Sequence, residues 1–307
     1  MNTTTSSTIE GYLNYCKMQK RLDPKTIKAY RIDLTQFSDF LKNSDIHSFS
    51  VSDIESFIGY LNENFKPKTA KRKLASLKAL FRYLEYKNII ESNPFNKIRT
   101  RFREPVLLPK TIPLYIIETF LSVIYRENAL AHTTYRRKRT LLDIAIVETL
   151  FSTGIRISEL CSLKYSDVNL YDTSIRIYGK GAKERIIQIG NDDVIRLLNR
   201  YKDNFHSEIE TSGYFFVNPN ATPISDQSIR RMLNKYCSLA AIDLHITPHM
   251  FRHTFATCLL EADVDIRYIQ EMLGHSSITV TEIYTHVALS KQKDILATKH
   301  PRKDFNF

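Results

Sequence analysis

The sequence predicts a mainly α protein of two domains, helical throughout except for one small antiparallel β-sheet in its C-terminal part. Three observations point there. Apolar residues recur at helical spacing behind capping signals over roughly the first ninety residues. A basic, proline-interrupted stretch at 99–112 then breaks that period, and two β-branched runs flank a Gly-Lys-Gly turn at 174–190. With 307 residues the chain is also long for a single hydrophobic core, so two domains are the default expectation.

Taken in order, the N-terminal part reads as four helices. Ser7 and Glu10 form an S-x-x-E capping box ahead of Ile9, Tyr12, Leu13 and Cys16 at helical spacing. Asp23-Pro24 supplies a cap and a first-turn proline, leading into Ile27, Tyr30, Leu34, Phe37 and Leu41. Ser52 and Glu55 repeat the capping box before Ile54, Phe57, Ile58 and Leu61. The fourth helix, "KPKTAKRKLASLKALFRYLEYK", opens at Pro67 and carries Ala70, Leu74, Leu77, Phe81 and Leu84 on one face. Its other face carries Lys68, Lys71, Arg72, Lys78 and Arg82, which is either solvated surface or a DNA-facing surface. The segment "RTRFREPVLLPKTI" is the linker candidate, giving domains at 1–104 and 113–307 joined through 105–112. Beyond it the pattern stays helical apart from the hairpin "SIRIYGKGAKERIIQIG".

Composition narrows the function. No apolar run reaches the roughly 18 to 20 residues of a membrane span, and "MNTTTSSTIEGYL" has neither the basic nor the apolar region of a secretory signal. Cys16, Cys161, Cys237 and Cys258 are far apart without a CxxC pair, which argues for reduced thiols in the cytosol. The net charge of +11 calls for a polyanionic partner, most often nucleic acid, and it is unevenly placed: +8 falls within 1–105 and only +3 on the rest.

Several residues could carry chemistry. "PHMFRHTFATCLL" sets His249, Arg252 and His253 within five positions, as a metal site, a phosphate clamp or a polar helix start. His249 and His253 share a helix face as in H-E-x-x-H proteases. Met250 stands where that motif needs glutamate, no third ligand is suitably spaced, and Arg252 would repel a cation, so a metal is not expected. In "STGIRISEL" Gly154 ends a helix just before Arg156, which could point into a cleft or simply pair with Glu159. Lys180 sits between two glycines at the hairpin tip, either reaching a ligand or merely solvated, and "LGHSSITVTEIYTHV" places His275 after Gly274 and Tyr284 nine residues on, a core tyrosine or a nucleophile.

Together, Arg156, Lys180, His249, Arg252, His275 and Tyr284, in that order and inside TGIRISEL, GKGAKER, HMFRHTFAT and LGHSSITVTEIYTH, resemble the tyrosine recombinase (phage integrase) family at each of its six catalytic positions. "DPKTIKAYRIDLTQFSDFL" is similar to that family's core-binding domain and the closing "KHPR" to the end of Xer-type recombinases, with no room for an extra arm-binding domain in front. The resemblance implies a DNA clamp, with a SAM-like four-helix core-binding domain and a mostly α catalytic domain. It implies Tyr284 as the nucleophile that forms a 3′-phosphotyrosyl link and frees a 5′-hydroxyl, its phenol pKa of about 10 needing help. Arg156, Arg252 and His275 would bond the phosphate oxygens, Lys180 would protonate the leaving oxygen, His249 would bond phosphate or take the tyrosine proton, and Glu159 would orient its neighbours. It implies no cofactor, no metal and no ATP site, and no Walker motif is present.

The implied partners are a double-stranded recombination site and four protomers on DNA, identical or shared with a second recombinase, with 288–307 contacting the next protomer. A further accessory or activating protein, and whether the role is chromosome dimer resolution or mobile-element integration, are left open. Two other readings are a type IB topoisomerase-like relaxing enzyme and a non-catalytic DNA-binding accessory protein.

Overall fold

A computed structural model describes residues 5–41, 49–98, 110–179 and 184–274. The chain divides into two units, Met1–Leu107 and Leu108–Phe307.

In the first unit the described residues form α1 (Thr5–Met18), α2 (Pro24–Phe40), α3 (Val51–Asn64) and α4 (Pro67–Tyr86), followed by a short 3-10 turn at Pro94–Lys97. The apolar stripes meet as their spacing predicts: Tyr12, Leu13, Leu34, Phe37, Phe57, Leu61, Leu77 and Phe81 are all buried in one core. Phe37 meets Phe57 edge-on at 5.0 Å between ring centroids, a favourable aromatic geometry. Asp23 caps α2 by accepting from the Lys25 amide at 2.7 Å, with Pro24 in the first turn.

Two starts differ from the sequence expectation. α1 begins at Thr5, before the Ser7–Glu10 box. The box at the head of α3 is Ser50–Asp53 rather than Ser52–Glu55: Asp53 Oδ2 accepts from the Ser50 amide at 2.8 Å, and the Asp53 amide donates to Ser50 Oγ at 3.2 Å. The shorter aspartate closes the same ring as glutamate, and the earlier start adds a half-turn without moving Ile54, Phe57 and Leu61 off the buried face. α4 also buries polar groups. Asp33 accepts from Lys73 Nζ at 3.1 Å and Ser76 Oγ at 2.9 Å and pairs with Arg72, while the Lys73 ammonium lies 4.8 Å from the Phe65 ring centroid.

The second unit holds α5 (Leu114–Ala129), α6 (Thr134–Thr153), α7 (Ile157–Ser162), β1 (Val168–Asn169), β2 (Ser174–Tyr178), β3 (Glu184–Gln188), α8 (Asp192–Asn204), α9 (His206–Ser212), α10 (Asp226–Leu239), α11 (Pro248–Glu261) and α12 (Ile266–Leu273). The expected hairpin is β2–β3, with Ile175 opposite Ile187 and Ile177 opposite Arg185, and β1 extends the sheet antiparallel to β2. From Thr140 to Thr153 α6 buries side chains all round, as a helix at the centre of a core must. It packs against α5, α8 and α11, and ends at Gly154, whose φ of +60° is the left-handed cap that glycine adopts without strain. Ile112, at the end of the predicted linker, is buried in this core and donates its amide to Thr254 Oγ1 on α11 at 2.8 Å.

Candidate active site

Gly154 turns the chain out of α6 and, after Ile155, sets Arg156 at the N-cap of α7. The Arg156 side chain is one-third exposed and lines an open cleft together with Arg176, Tyr178, Arg185 and Gly274. Its Nη1 donates to Glu159 Oε1 at 2.7 Å and its Nη2 to the Gly274 carbonyl at 3.1 Å. Glu159, buried on the next turn of α7, also accepts from the Arg156 amide at 3.0 Å. The local pairing and the cleft position that the sequence offered as alternatives therefore coexist.

Arg252 approaches from α11. It is buried, and it donates to the Gly154 carbonyl at 2.8 Å and to the Leu273 carbonyl. Arg252 and Arg156 thus end on adjacent carbonyls of Leu273 and Gly274. These are last-turn groups of α12, where backbone acceptors lack intrahelical partners and the helix dipole favours cations. Both glycines hold left-handed backbone, and space is short at each. A Cβ on Gly154 would stand 2.6 Å from Phe255 Cδ1, and one on Gly274, at φ +62°, would stand 3.0 Å from Arg185 Nη1. A small apolar cluster of Ala256, Ile269 and Leu273 seals α11 against α12.

His249 lies on the first turn of α11, solvent-facing, three residues before Arg252. Partial burial, and then the positive charges of Arg230 and Arg252, push its imidazole below the ordinary value, which favours a neutral ring able to accept a proton. His253 is half-buried and shifted the same way, by burial first and then by His249 and Arg252. Among the described residues no group of three or more His, Cys, Asp or Glu could hold a metal. Lys180, His275, Tyr284 and 288–307 lie outside the described residues.

On α4, Lys68, Lys71 and Arg82 are exposed. Arg72 is half-exposed and paired with Asp33, while Lys78 lies 5.6 Å from the Phe95 ring centroid.

Sequence reasoning missed Arg185 on β3, whose side chain is nine-tenths buried. Its Nη1 and Nη2 donate to Glu159 Oε1 and Oε2 at 3.0 and 2.7 Å, and its Nε donates to the Met272 carbonyl at 2.9 Å. Burial alone would raise the Glu159 carboxyl; hydrogen bonds from Arg185 and from the amide and side chain of Arg156 outweigh that and hold it below the usual range. The signal was strand parity. Ile187 and Ile189 are buried, so Arg185, two residues before Ile187, points to the same inner side.

The profile described as the phage integrase family matches residues 126–291, and that described as the phage integrase N-terminal SAM-like domain matches 9–88. A protein named tyrosine recombinase from Agathobacter rectalis is 64% identical over 299 residues, covering 97% of this chain and 98% of its own. Tyrosine recombinase XerD of Staphylococcus saprophyticus is 34% identical over 301 residues, covering 96% and 98%. Among solved structures, XerH site-specific recombinase bound to palindromic difH substrate in a post-cleavage complex is similar with a TM-score of 0.71. That likeness covers 96% of this chain and 84% of the other at 21% identity, which shows a shared fold.

Proposed function

The chain belongs to the phage integrase family of tyrosine recombinases, and from that membership we propose which of its residues break and rejoin DNA. It is a site-specific DNA recombinase, an enzyme of strand cleavage and rejoining. Full-length likeness to enzymes named tyrosine recombinases favours this over site-independent relaxation of supercoils.

In the proposed site Tyr284 Oη attacks the scissile phosphorus. The bond from phosphorus to the 5′-oxygen breaks, leaving a 3′-phosphotyrosyl link, and Lys180 protonates the departing oxygen. Arg156, Arg252 and His275 bond the non-bridging oxygens, where negative charge grows in the transition state. Donors fixed in advance at such positions are worth roughly 3–4 kcal/mol each. His249, held neutral, takes the tyrosine proton or bonds the phosphate. Rejoining reverses these steps with a 5′-hydroxyl from the other duplex, and the covalent bond conserves the energy of the diester. Two guanidiniums and an ammonium supply the positive charge, so no step in this account uses a metal.

A single observation carries the reading. Arg156 and Arg252, far apart in sequence, converge on adjacent carbonyls at the end of α12, immediately before His275. Exchange through a Holliday junction needs paired active sites on two duplexes, so the working assembly is four protomers on DNA, of this chain alone or shared with a second recombinase. On the N-terminal unit, Lys68, Lys71 and Arg82 on the exposed face of α4 contact phosphates.

Covalent capture tests the assignment. Protein is mixed with fragmented host genomic DNA, denatured in detergent, and the attached DNA is sequenced, with Tyr284→Phe as control. Attachment to one short near-palindrome, absent from the variant, is expected; its genomic address separates chromosome maintenance from element mobility. Attachment by Tyr284→Phe would remove Tyr284 from the nucleophile's role.

A further inference from the structure

We propose that Arg185 is a positioning residue for strand cleavage: it locks Glu159 and the end of α12 together, and so sets Arg156 where the scissile phosphate binds. This rests on the assignment of Arg156 made above. All three guanidinium nitrogens are committed, two to the separate oxygens of Glu159 and one to the Met272 carbonyl. Glu159 holds Arg156 by both amide and side chain, and the residues after Met272 offer the carbonyls that hold Arg252 and Arg156. Arg185 therefore touches both anchors of Arg156, and its own side chain is nine-tenths buried while that of Arg156 is one-third exposed at the cleft. A Cβ on Gly274 would come within 3.0 Å of Arg185 Cδ and Nη1, so glycine at this cap leaves the guanidinium room against the end of α12.

Lysine cannot replace it. A point ammonium has no planar fork to meet both carboxylate oxygens and a carbonyl in one orientation. Without the fork Glu159 keeps only Arg156 as a charged partner among those described here, and the Arg156 guanidinium is drawn inward from the cleft. A displacement of about 1 Å at a reacting centre costs on the order of 100-fold in rate.

The test uses the full chain and a duplex carrying the site recovered by covalent capture, nicked beside the scissile phosphate so that the covalent complex accumulates. Gel shift gives binding, and single-turnover formation of the covalent complex at saturating protein gives the rate. A second duplex carries an uncharged methylphosphonate at the scissile position, which removes the negative charge that Arg156 is there to meet. Arg185→Lys is expected to bind within about threefold of the unaltered protein and to cleave about 100-fold more slowly. On the methylphosphonate its deficit should fall below about tenfold, as should that of Arg156→Ala, because the misplaced charge is no longer needed. A merely structural loss would slow both duplexes alike.

Cleavage by Arg185→Lys within about threefold of the unaltered rate, or equal deficits on the two duplexes, overturns the proposal. Should Arg185→Lys fail to fold by circular dichroism, Glu159→Gln decides: the same charge-selective loss supports the clamp, and an unaltered rate overturns it. If the unaltered protein cleaves and Arg156→Ala does not, while Arg185→Lys keeps pace, only the role of Arg185 fails. If Arg156→Ala also cleaves normally, the assignment of Arg156 itself fails.

Discussion

Arg252 and His253 are sequence neighbours on α11 with different surroundings, and the proposed function gives them different roles. The Arg252 guanidinium is fixed between the carbonyls of Gly154 and Leu273, a pre-set geometry suited to an anionic oxygen. His253 is half-buried in packing, with its imidazole pushed toward the neutral form. Arg252→Ala is therefore expected to slow covalent cleavage by about 100- to 1000-fold, the loss of one preorganised donor, while His253→Ala should stay within about tenfold. Single-turnover cleavage of the captured site measures both, and equal losses would show the division to be wrong. At this scale the sequence was legible where a residue stands inside a distinctive word, as Arg156 does in TGIRISEL and Arg252 in HMFRHTFAT. Arg185 was illegible because a charged residue in a hairpin strand reads as solvent-facing until the neighbouring isoleucines fix the parity. Lys73 was passed over amid Lys71, Arg72 and Lys78, although it stands three residues after Ala70 and four before Leu77 on the buried face, where Asp33, Gln36 and Phe65 surround it.

Elements in the second unit are held by a polar contact with a pH signature. Asp143 on α6 accepts from Tyr236 Oη on α10 at 2.9 Å, and Arg139 stands 3.6 Å away. Burial outweighs the Arg139 charge and the tyrosine hydrogen bond and raises the Asp143 carboxyl to about 6. A raised carboxyl binds its proton more tightly in the folded state, so its stabilising share is complete below the unfolded value near 4 and is lost as pH rises through about 6. The whole swing is about 3 kcal/mol at 1.4 kcal/mol per unit. Asp143→Asn keeps an acceptor for Tyr236 without the buried charge. It should raise the melting temperature of the second unit by several degrees at pH 7.5, at about 2–4 °C per kcal/mol, with the gain shrinking toward pH 4. Calorimetry at the two pH values measures this, and no gain at pH 7.5 would mean that the Arg139 pair already offsets the burial. α6 also shows what periodicity cannot reveal. A helix buried all round has no polar face to set its phase, so its C-terminal limit was read from Gly154 alone. In α3 the apolar phase was legible but the cap was not, because Ser50–Asp53 and Ser52–Glu55 both fit the capping-box pattern and local sequence does not rank them.

At the scale of the whole molecule, the chain divides its labour by charge and by sequence order. The excess of +8 within residues 1–105 favours attraction of that part for phosphates, while Arg156 is paired with Glu159 and the buried Arg252 is tied to carbonyls. Binding and cleavage should therefore be separable, and the segment after Tyr284 is the place to separate them. Residues 288–307, "ALSKQKDILATKHPRKDFNF" from Ala288 onward, follow the proposed nucleophile closely in sequence. If they bind a neighbouring protomer, the position of Tyr284 is coupled to the assembled state, and a coupling of the usual 1–3 kcal/mol corresponds to about 5- to 150-fold in the population of the active arrangement. A chain ending at residue 287 should bind one site within about threefold, because such coupling costs nothing until protomers meet. On two paired sites its cleavage and strand exchange should fall by that 5- to 150-fold, as the coupling energy is lost. Native gels of the paired complex and a two-site recombination assay measure the two stages. Full recombination by the shortened chain would place the coupling elsewhere. Weakened binding to a single site would instead mean that the segment touches DNA, since a contact between protomers leaves a lone protomer's phosphate contacts intact.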